Sequence, residues 1–214
     1  MIKAGFDLVA PFYDALTYLV FGNSTRQAQL PFVRNIPVGA TILIIGGGTG
    51  WLLKEIYRSV TTGHILYLEA SEKMLELSRK KLGIYPLPPN IEFRLGTEKN
   101  ISPEEKFDFI ISPFLFDLFP PTELSQLCHT LKKSLNAGGQ WQVTDFGAPK
   151  GQGFRYFTQK ILLKLMYFFF RVVSNIPATK LPDWEKTMTA LGLIPQKSVY
   201  FYRGMIKSIL YRHS

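Results

Sequence analysis

Thr41-Ile42-Leu43-Ile44-Ile45-Gly46-Gly47-Gly48-Thr49-Gly50 is the stretch whose reading decides the fold. Ile42 to Ile45 form a short apolar run bounded by turn residues, the pattern of a strand buried on both faces. Three glycines at alternate positions follow at once, and Trp51 to Val60 then repeat apolar residues at helical spacing (Leu52, Leu53, Ile56, Tyr57, Val60). Strand, glycine turn and helix open a Rossmann-type unit. Glycines there permit a sharp turn and let a ligand lie against the backbone with no Cβ in the way. The next apolar run, His64 to Leu68, ends at Glu69, nineteen positions after Gly50. An acid at the tip of the second strand is placed to accept hydrogen bonds from ribose hydroxyls. A dinucleotide fingerprint counted from Gly46 would need glycine at position 51, where Trp51 stands, and no Gly-Lys-Ser/Thr follows. The turn therefore favours a nucleoside without a pyrophosphate.

The chain of 214 residues is long enough for one domain, 1–214, with a sizeable core, and its 46% apolar content excludes a disordered chain. No basic leader with an apolar stretch and a small-residue cleavage site opens it, which predicts no signal peptide and a cytoplasmic protein. One cysteine, Cys128, excludes an intrachain disulfide, and the scattered His64, His129 and His213 predict no metal site. The net charge of +9 is uneven. Residues 1–149 hold fourteen basic and fourteen acidic side chains, so the whole excess lies in residues 150–214. Such a segment suggests an anionic partner or membrane surface, or a well-solvated face.

Along the chain, Pro11 breaks an apolar pattern and predicts a helix from about Phe12 to Gly22, followed by a helix from Ser24 as cap to about Arg34. Ser71 caps a helix to about Leu82. Ile91 to Leu95 form a third strand ending in Gly96-Thr97-Glu98. Phe107 to Ser112 form a fourth, and Phe114, Phe116 and Phe119 after it are candidates for an apolar pocket wall or for core. Thr122 is read as the cap of a helix to about Leu135, stopped by Asn136-Ala137-Gly138-Gly139. Gln140 to Asp145 form the fifth strand. The insertion 151–176 carries Ile161 to Val173, greasy but broken by Lys164 and Arg171 and shorter than the ~20 apolar residues of a membrane span. Asp183-Trp184 open the last helix. Val199 to Tyr202 and Met205 to Tyr211 form a terminal hairpin around Arg203-Gly204.

The glycine turn with Glu69 resembles motif I of the class I S-adenosylmethionine-dependent methyltransferases. Phe6-Asp7-x-x-Ala10-x-x-Tyr13-Asp14 and Gly138-Gly139-x-x-x-Val143-x-Asp145-Phe146-x-x-Pro149 resemble the ubiquinone and menaquinone biosynthesis methyltransferases. The resemblance implies a Rossmann-like α/β fold. Its seven-stranded, mostly parallel sheet would end in an antiparallel hairpin and carry helices on both faces. It implies S-adenosylmethionine across the strand tips. Gly46, Gly47, Gly48 and Gly50 would lie under its methionine part and Glu69 on its ribose. Tyr13 would help cover it, the Thr97-Glu98 turn would flank the adenine, and Ala70, Met74 and Ser112 would complete the set. Residues 6–34 and the insertion 151–176 would form a lid. The reaction would be methyl transfer to a carbon or oxygen. The apolar residues of the insertion, spread around more than one face, point separately to a small, lipophilic acceptor. Asp145, Tyr13 and Tyr156 are the candidate helpers in removing a proton. The segment 156–176 would meet a membrane surface or a second copy of the chain. A nicotinamide-dependent reductase could use the same strand tips, but Trp51 and the terminal hairpin count against it. A nucleotide-binding or nucleic-acid-binding module without catalysis ranks last, because the basic final third is apolar.

Overall fold

The computed structural model describes residues 7, 10–148, 153, 156–165, 178 and 180–213. Seven strands form one sheet: β1 (Thr41–Ile45), β2 (His64–Glu69), β3 (Ile91–Leu95), β4 (Phe107–Pro113), β5 (Leu135–Phe146), β6 (Ile194–Phe201) and β7 (Ile206–Arg212). Their spatial order is β3-β2-β1-β4-β5-β7-β6, with β1 to β5 mutually parallel and β7 antiparallel to both neighbours. This is the sheet expected above. The helices are α1 (Tyr13–Phe21), α2 (Ser24–Ala28), α3 (Trp51–Ser59), α4 (Glu72–Leu82), α5 (Pro121–Lys133), α6 (156–165) and α7 (Trp184–Ala190).

β1 shows why an unbroken apolar run was needed. Its side chains alternate faces, and both faces are covered. Leu43 and Ile45 join Leu66, Ile110, Val143 and Ile209 under Leu124, Leu127 and Leu131 of α5 and Trp184 and Met188 of α7. Ile42 and Ile44 join Ile65, Phe109 and Ile111 under Leu52, Leu53 and Ile56 of α3 and Leu75 and Leu82 of α4. Cys128 is a buried residue of the first core. The order reverses between β1 and β4, and a crevice for a ligand opens at the carboxyl ends of strands at such a point.

Four local expectations are corrected. The helix after Ser24 spans five residues, with Asn23 before it and no side-chain cap. Pro31 lacks the N–H that would continue it, and the chain re-forms only a 3-10 turn at Val33–Asn35. Thr122 is not a cap: Pro121 takes the first helical position, where its missing N–H costs nothing. The helix α5 ends at Lys133 and β5 begins at Leu135, because Leu135 pairs with Phe107 while the next pair is Phe109 with Gln140. The residues between bulge out, with Gly138 at φ 73°. The hairpin's first arm reaches back to Ile194, and its turn takes in Tyr202, Arg203 and Gly204. Phe6, the stretch 166–177 and Pro149 lie outside the described residues.

Candidate active site

The turn after β1 bends through Gly46, Gly48 and Gly50, at φ 67°, 61° and 82°. Each is left-handed backbone that a side chain resists. Two glycines are also forced by neighbours. A Cβ on Gly47 would lie 2.6 Å from the Tyr67 ring and hydroxyl, and one on Gly50 would lie 2.6 Å from Cβ of Ser78. Tyr67 rises from β2 beneath the turn and donates its hydroxyl to the Gly48 carbonyl at 2.8 Å. Above Gly48 nothing lies within 4 Å of an added Cβ. The turn is thus packed from below and open above, the form a bound nucleoside needs.

Glu69 ends β2 and is 8% exposed. Its Oε2 accepts from the Gly48 N–H and its Oε1 from the Ser71 N–H, both at 3.0 Å. It braces the turn and opens α4. Burial raises its pKa, against the lowering pull of the Ser71, Gly48 and Ala70 N–H groups.

Asp14 fastens α1 to this turn. Its Oδ1 accepts from the Thr49 hydroxyl at 2.8 Å, its Oδ2 pairs with Lys81, and Arg26 lies 3.9 Å away. Lys81 also donates to the Thr49 hydroxyl at 2.9 Å. Asp7 accepts from the Ser71 hydroxyl and from the Lys73 N–H. These two acids come from the Phe6–Asp14 string, and they carry the chain across the carboxyl edge of β1 and β2. Tyr13, next to Asp14, has its phenol held well above its ordinary pKa, by burial first and then by Asp117, Asp14, Asp145 and Glu69.

On the other side of the crevice, Phe114 turns the chain at φ 50° into a 3-10 turn at Phe116–Leu118. Asp145, at the tip of β5, holds that turn. Its Oδ2 accepts from the N–H groups of Phe116 at 2.7 Å and Asp117 at 3.3 Å, and its Oδ1 from its neighbour Phe146 at 2.7 Å.

Together these elements enclose a cavity of about 590 Å³, within the ~300–1,000 Å³ of small-molecule sites. Among the expected residues, Tyr13, Gly46, Gly47, Gly48, Glu69, Ala70, Met74, Thr97 and Glu98 line it. Four others stand outside its wall. Gly50 caps α3 against Ser78. Ser112 is fully buried and accepts from the Trp141 indole N–H at 3.0 Å. Asp145 is 0% exposed, with both oxygens on backbone N–H groups, so it positions the 116–118 turn rather than facing a substrate. Tyr156 lies on α6 with Lys160 over its ring at 4.9 Å. Thr97 spends its side chain as the cap of its own turn, accepting from the Lys99 N–H.

Phe114 and Phe119 belong to the cavity wall, while Phe116 is core. Wall residues that the motifs did not single out include Thr17, Arg26, Leu115 and Leu118. Arg26 stacks over Trp51 at 5.6 Å, so the residue in place of a third glycine forms part of the wall. Among the described residues no group of three or more His, Cys, Asp or Glu side chains is placed to hold a metal.

The residues fit S-adenosylmethionine: an open glycine turn, an acid at the tip of the second strand and room for a nucleoside with a side arm. Residues 42–139 match the family model of a methyltransferase domain. The chain is 29% identical over 148 residues to a ubiquinone/menaquinone biosynthesis C-methyltransferase of Hahella chejuensis. That alignment covers 67% of this chain and 59% of the relative, so the chain spans little more than half of that protein's length. Among solved structures, the N-methyltransferase NodS of Bradyrhizobium japonicum with S-adenosylhomocysteine superposes at a TM-score of 0.65 and 12% identity. The match covers 88% of this chain and 85% of that one. Magnesium protoporphyrin IX methyltransferase of Synechocystis, also with bound S-adenosylhomocysteine, gives 0.64 and 16%, over 90% and 83%. With the glycine turn, Glu69, the sheet order and the matched residues in agreement, the chain carries a methyltransferase domain similar to those of the class I S-adenosylmethionine-dependent methyltransferases.

Proposed function

We propose that the protein transfers a methyl group to a carbon or oxygen of a small lipophilic acceptor. The supporting observation is the apolar part of the cavity wall, which includes Phe21, Phe114, Leu118, Phe119 and Phe146. An acceptor there would exchange water for apolar contact at ~25 cal/mol per Å² buried. When bound, S-adenosylmethionine supplies an electrophilic methyl carbon on a sulfonium. The chain's own part is to hold both partners in line and to exclude water. Glu69 and the glycine turn hold the nucleoside, the 114–119 turn walls the acceptor side, and α1 covers both. Tyr13, with its raised phenol, serves as a hydrogen-bond donor rather than a base near neutral pH.

We further infer that the acceptor is met at an anionic membrane surface. Phe157, Ile161 and Leu165 of α6 are spaced by four and so share a face, and they are 61%, 41% and 60% exposed. Lys160 and Lys164 stand among them. The opposite face carries Leu163 into the cluster of Phe21, Phe146 and Ile206, which places α6 beside α1.

The experiment is methyl transfer from labelled S-adenosylmethionine into a total lipid extract and, in parallel, into an aqueous metabolite extract. Label appearing in the organic phase is the expected result. Label confined to water-soluble amines would overturn the acceptor reading.

A further inference from the structure

Asp117 and Asp145 are two buried acidic residues, the first in the 3-10 turn after β4 and the second at the tip of the adjacent strand β5. Asp117 is 5% exposed and lines the cavity, whereas Asp145 is 0% exposed and lies behind it. They are tied by the chain itself, since the Asp117 N–H donates to Asp145 Oδ2 at 3.3 Å. Two neighbouring carboxyl groups in a desolvated site do not both ionise unless a cation is set against them, and their protons belong to the pair. The backbone decides which one keeps the charge. Burial raises Asp145 to about 7, against the pull of the N–H groups of Phe146, Phe116 and Asp117, which favour its ionised form. Asp117 is raised well above its ordinary value by burial and by the Asp145 charge. In the empty cavity Asp117 therefore carries the proton.

The other titratable and charged groups of the wall begin with Tyr13 of α1, whose phenol is raised by burial and then by the charge of Asp117. Asp14 is met by Lys81 and Arg26, and Glu69 by the Gly48 and Ser71 N–H groups. Glu98 is half-buried, and Lys99 and Glu123 are exposed. Leu115, two residues before Asp117, overhangs Gly46, with its Cδ1 2.9 Å from where a Cβ would stand. The turn that carries Asp117 thus leans over the start of the glycine turn.

We propose that Asp117, seated by Asp145, is the counter-charge for the sulfonium of S-adenosylmethionine, and that it lets the site prefer the cationic donor to its neutral thioether product. The inference rests on the cofactor reading above. Donor binding ionises Asp117 and its proton leaves to solvent. Transfer of the methyl group turns the sulfonium into a thioether, the counter-charge loses its partner, and Asp117 takes a proton back. Product then leaves a site that no longer favours it.

Calorimetry of S-adenosylmethionine and S-adenosylhomocysteine binding, each in two buffers of different protonation enthalpy near neutral pH, tests this. The two ligands share ribose, adenine and amino-acid ends, so any proton linked to Glu69 cancels between them. The donor should release up to about one proton more than the product, and its affinity alone should rise with pH through the pair's titration. Asp117→Asn should abolish the extra release and lower the donor-to-product affinity ratio about tenfold or more, while product affinity stays near wild type. Equal proton release for both ligands in the wild type would overturn the proposal, and so would an extra release that survives in Asp117→Asn. The wild-type comparison carries the test even where the variant is poorly folded. Binding of neither ligand would instead refute the cofactor reading.

Discussion

Glu69 holds the backbone on both sides of the strand tip, and its remaining lone pairs are what it can offer a ribose. A Glu69→Ala protein should lose roughly 1–3 kcal/mol of cofactor affinity, the scale of hydrogen bonds to a charged group. Its apo melting temperature should also fall, because the Gly48 and Ser71 N–H groups lose their acceptor. Unchanged affinity by calorimetry would remove Glu69 from the site. Tyr67 gives a companion test. Tyr67→Phe deletes one buried hydrogen bond to Gly48 and should cost ~0.5–1.5 kcal/mol by denaturant titration. Gly47→Ala forces a methyl into the same ring and should cost more than that loss.

The titrating carboxyls make a third prediction at this scale. Glu69, Asp117 and Asp145 all have raised folded-state values, so the native chain binds their protons more tightly than the unfolded one. Apo stability from these groups is present at acid pH. It is lost as pH rises from the unfolded carboxylate range near ~4 through the raised folded values. Glu105, lowered chiefly by its hydrogen bonds to Arg94, works the other way and only at lower pH. Melting temperature of the apo protein should therefore decline from about pH 5 towards neutrality, and Asp117→Asn should flatten the decline. The glycines and Glu69 were legible in the sequence because their meaning is local: an apolar run, a turn, an acid one strand on. The Asp117–Asp145 pair was not legible, since 28 residues separate the two and only the β4–β5 neighbourhood joins them.

Among the elements, α1 carries the most testable contact, the attachment of Asp14 to Thr49 and Lys81. It joins α1 to the start of α3 and the end of α4. Asp14→Ala should loosen α1 without disturbing the sheet. Limited proteolysis of the apo protein should cut first within 10–34 and 153–165, and faster in this variant. S-adenosylhomocysteine should protect both stretches in the wild type. Protection of neither would end the idea that they roof the cavity together. The element order and most boundaries were readable from periodicity, because β1 and β2 are buried on both faces and α3 and α4 on one. Two misreadings, at 24–34 and at Thr122, came from prolines, and the other two came where a contact across the sheet overrode the local pattern. Leu135 was taken into β5 by pairing with Phe107, although Asn136 to Gly139 look like a helix stop. β6 is largely exposed along its length, so its alternation is weak, and its pairing with β7 defines it.

At the scale of the whole molecule, the basic excess and the exposed apolar stripe of α6 both lie in the last third. All nine excess charges lie in residues 150–214, where Phe157, Ile161 and Leu165 also face outward. Among the described residues no helix is long and apolar enough to cross a membrane, so a contact through α6 would lie in the interface plane. Lys160 and Lys164 would sit at the level of anionic headgroups, each worth ~1 kcal/mol near such a surface and screened by salt. A second copy of the chain could cover the same stripe, and the two occupants differ in their response to charge. Vesicles containing anionic lipid should pull down the wild type, added salt should weaken the binding, and neutral vesicles should hold it poorly. Replacing Phe157 and Leu165 together with Ser should abolish vesicle binding while leaving S-adenosylhomocysteine affinity intact, since neither residue lines the cavity. A protein that ignores anionic vesicles, and that sediments as a dimer until Phe157 and Leu165 are replaced, would assign the stripe to the dimer instead.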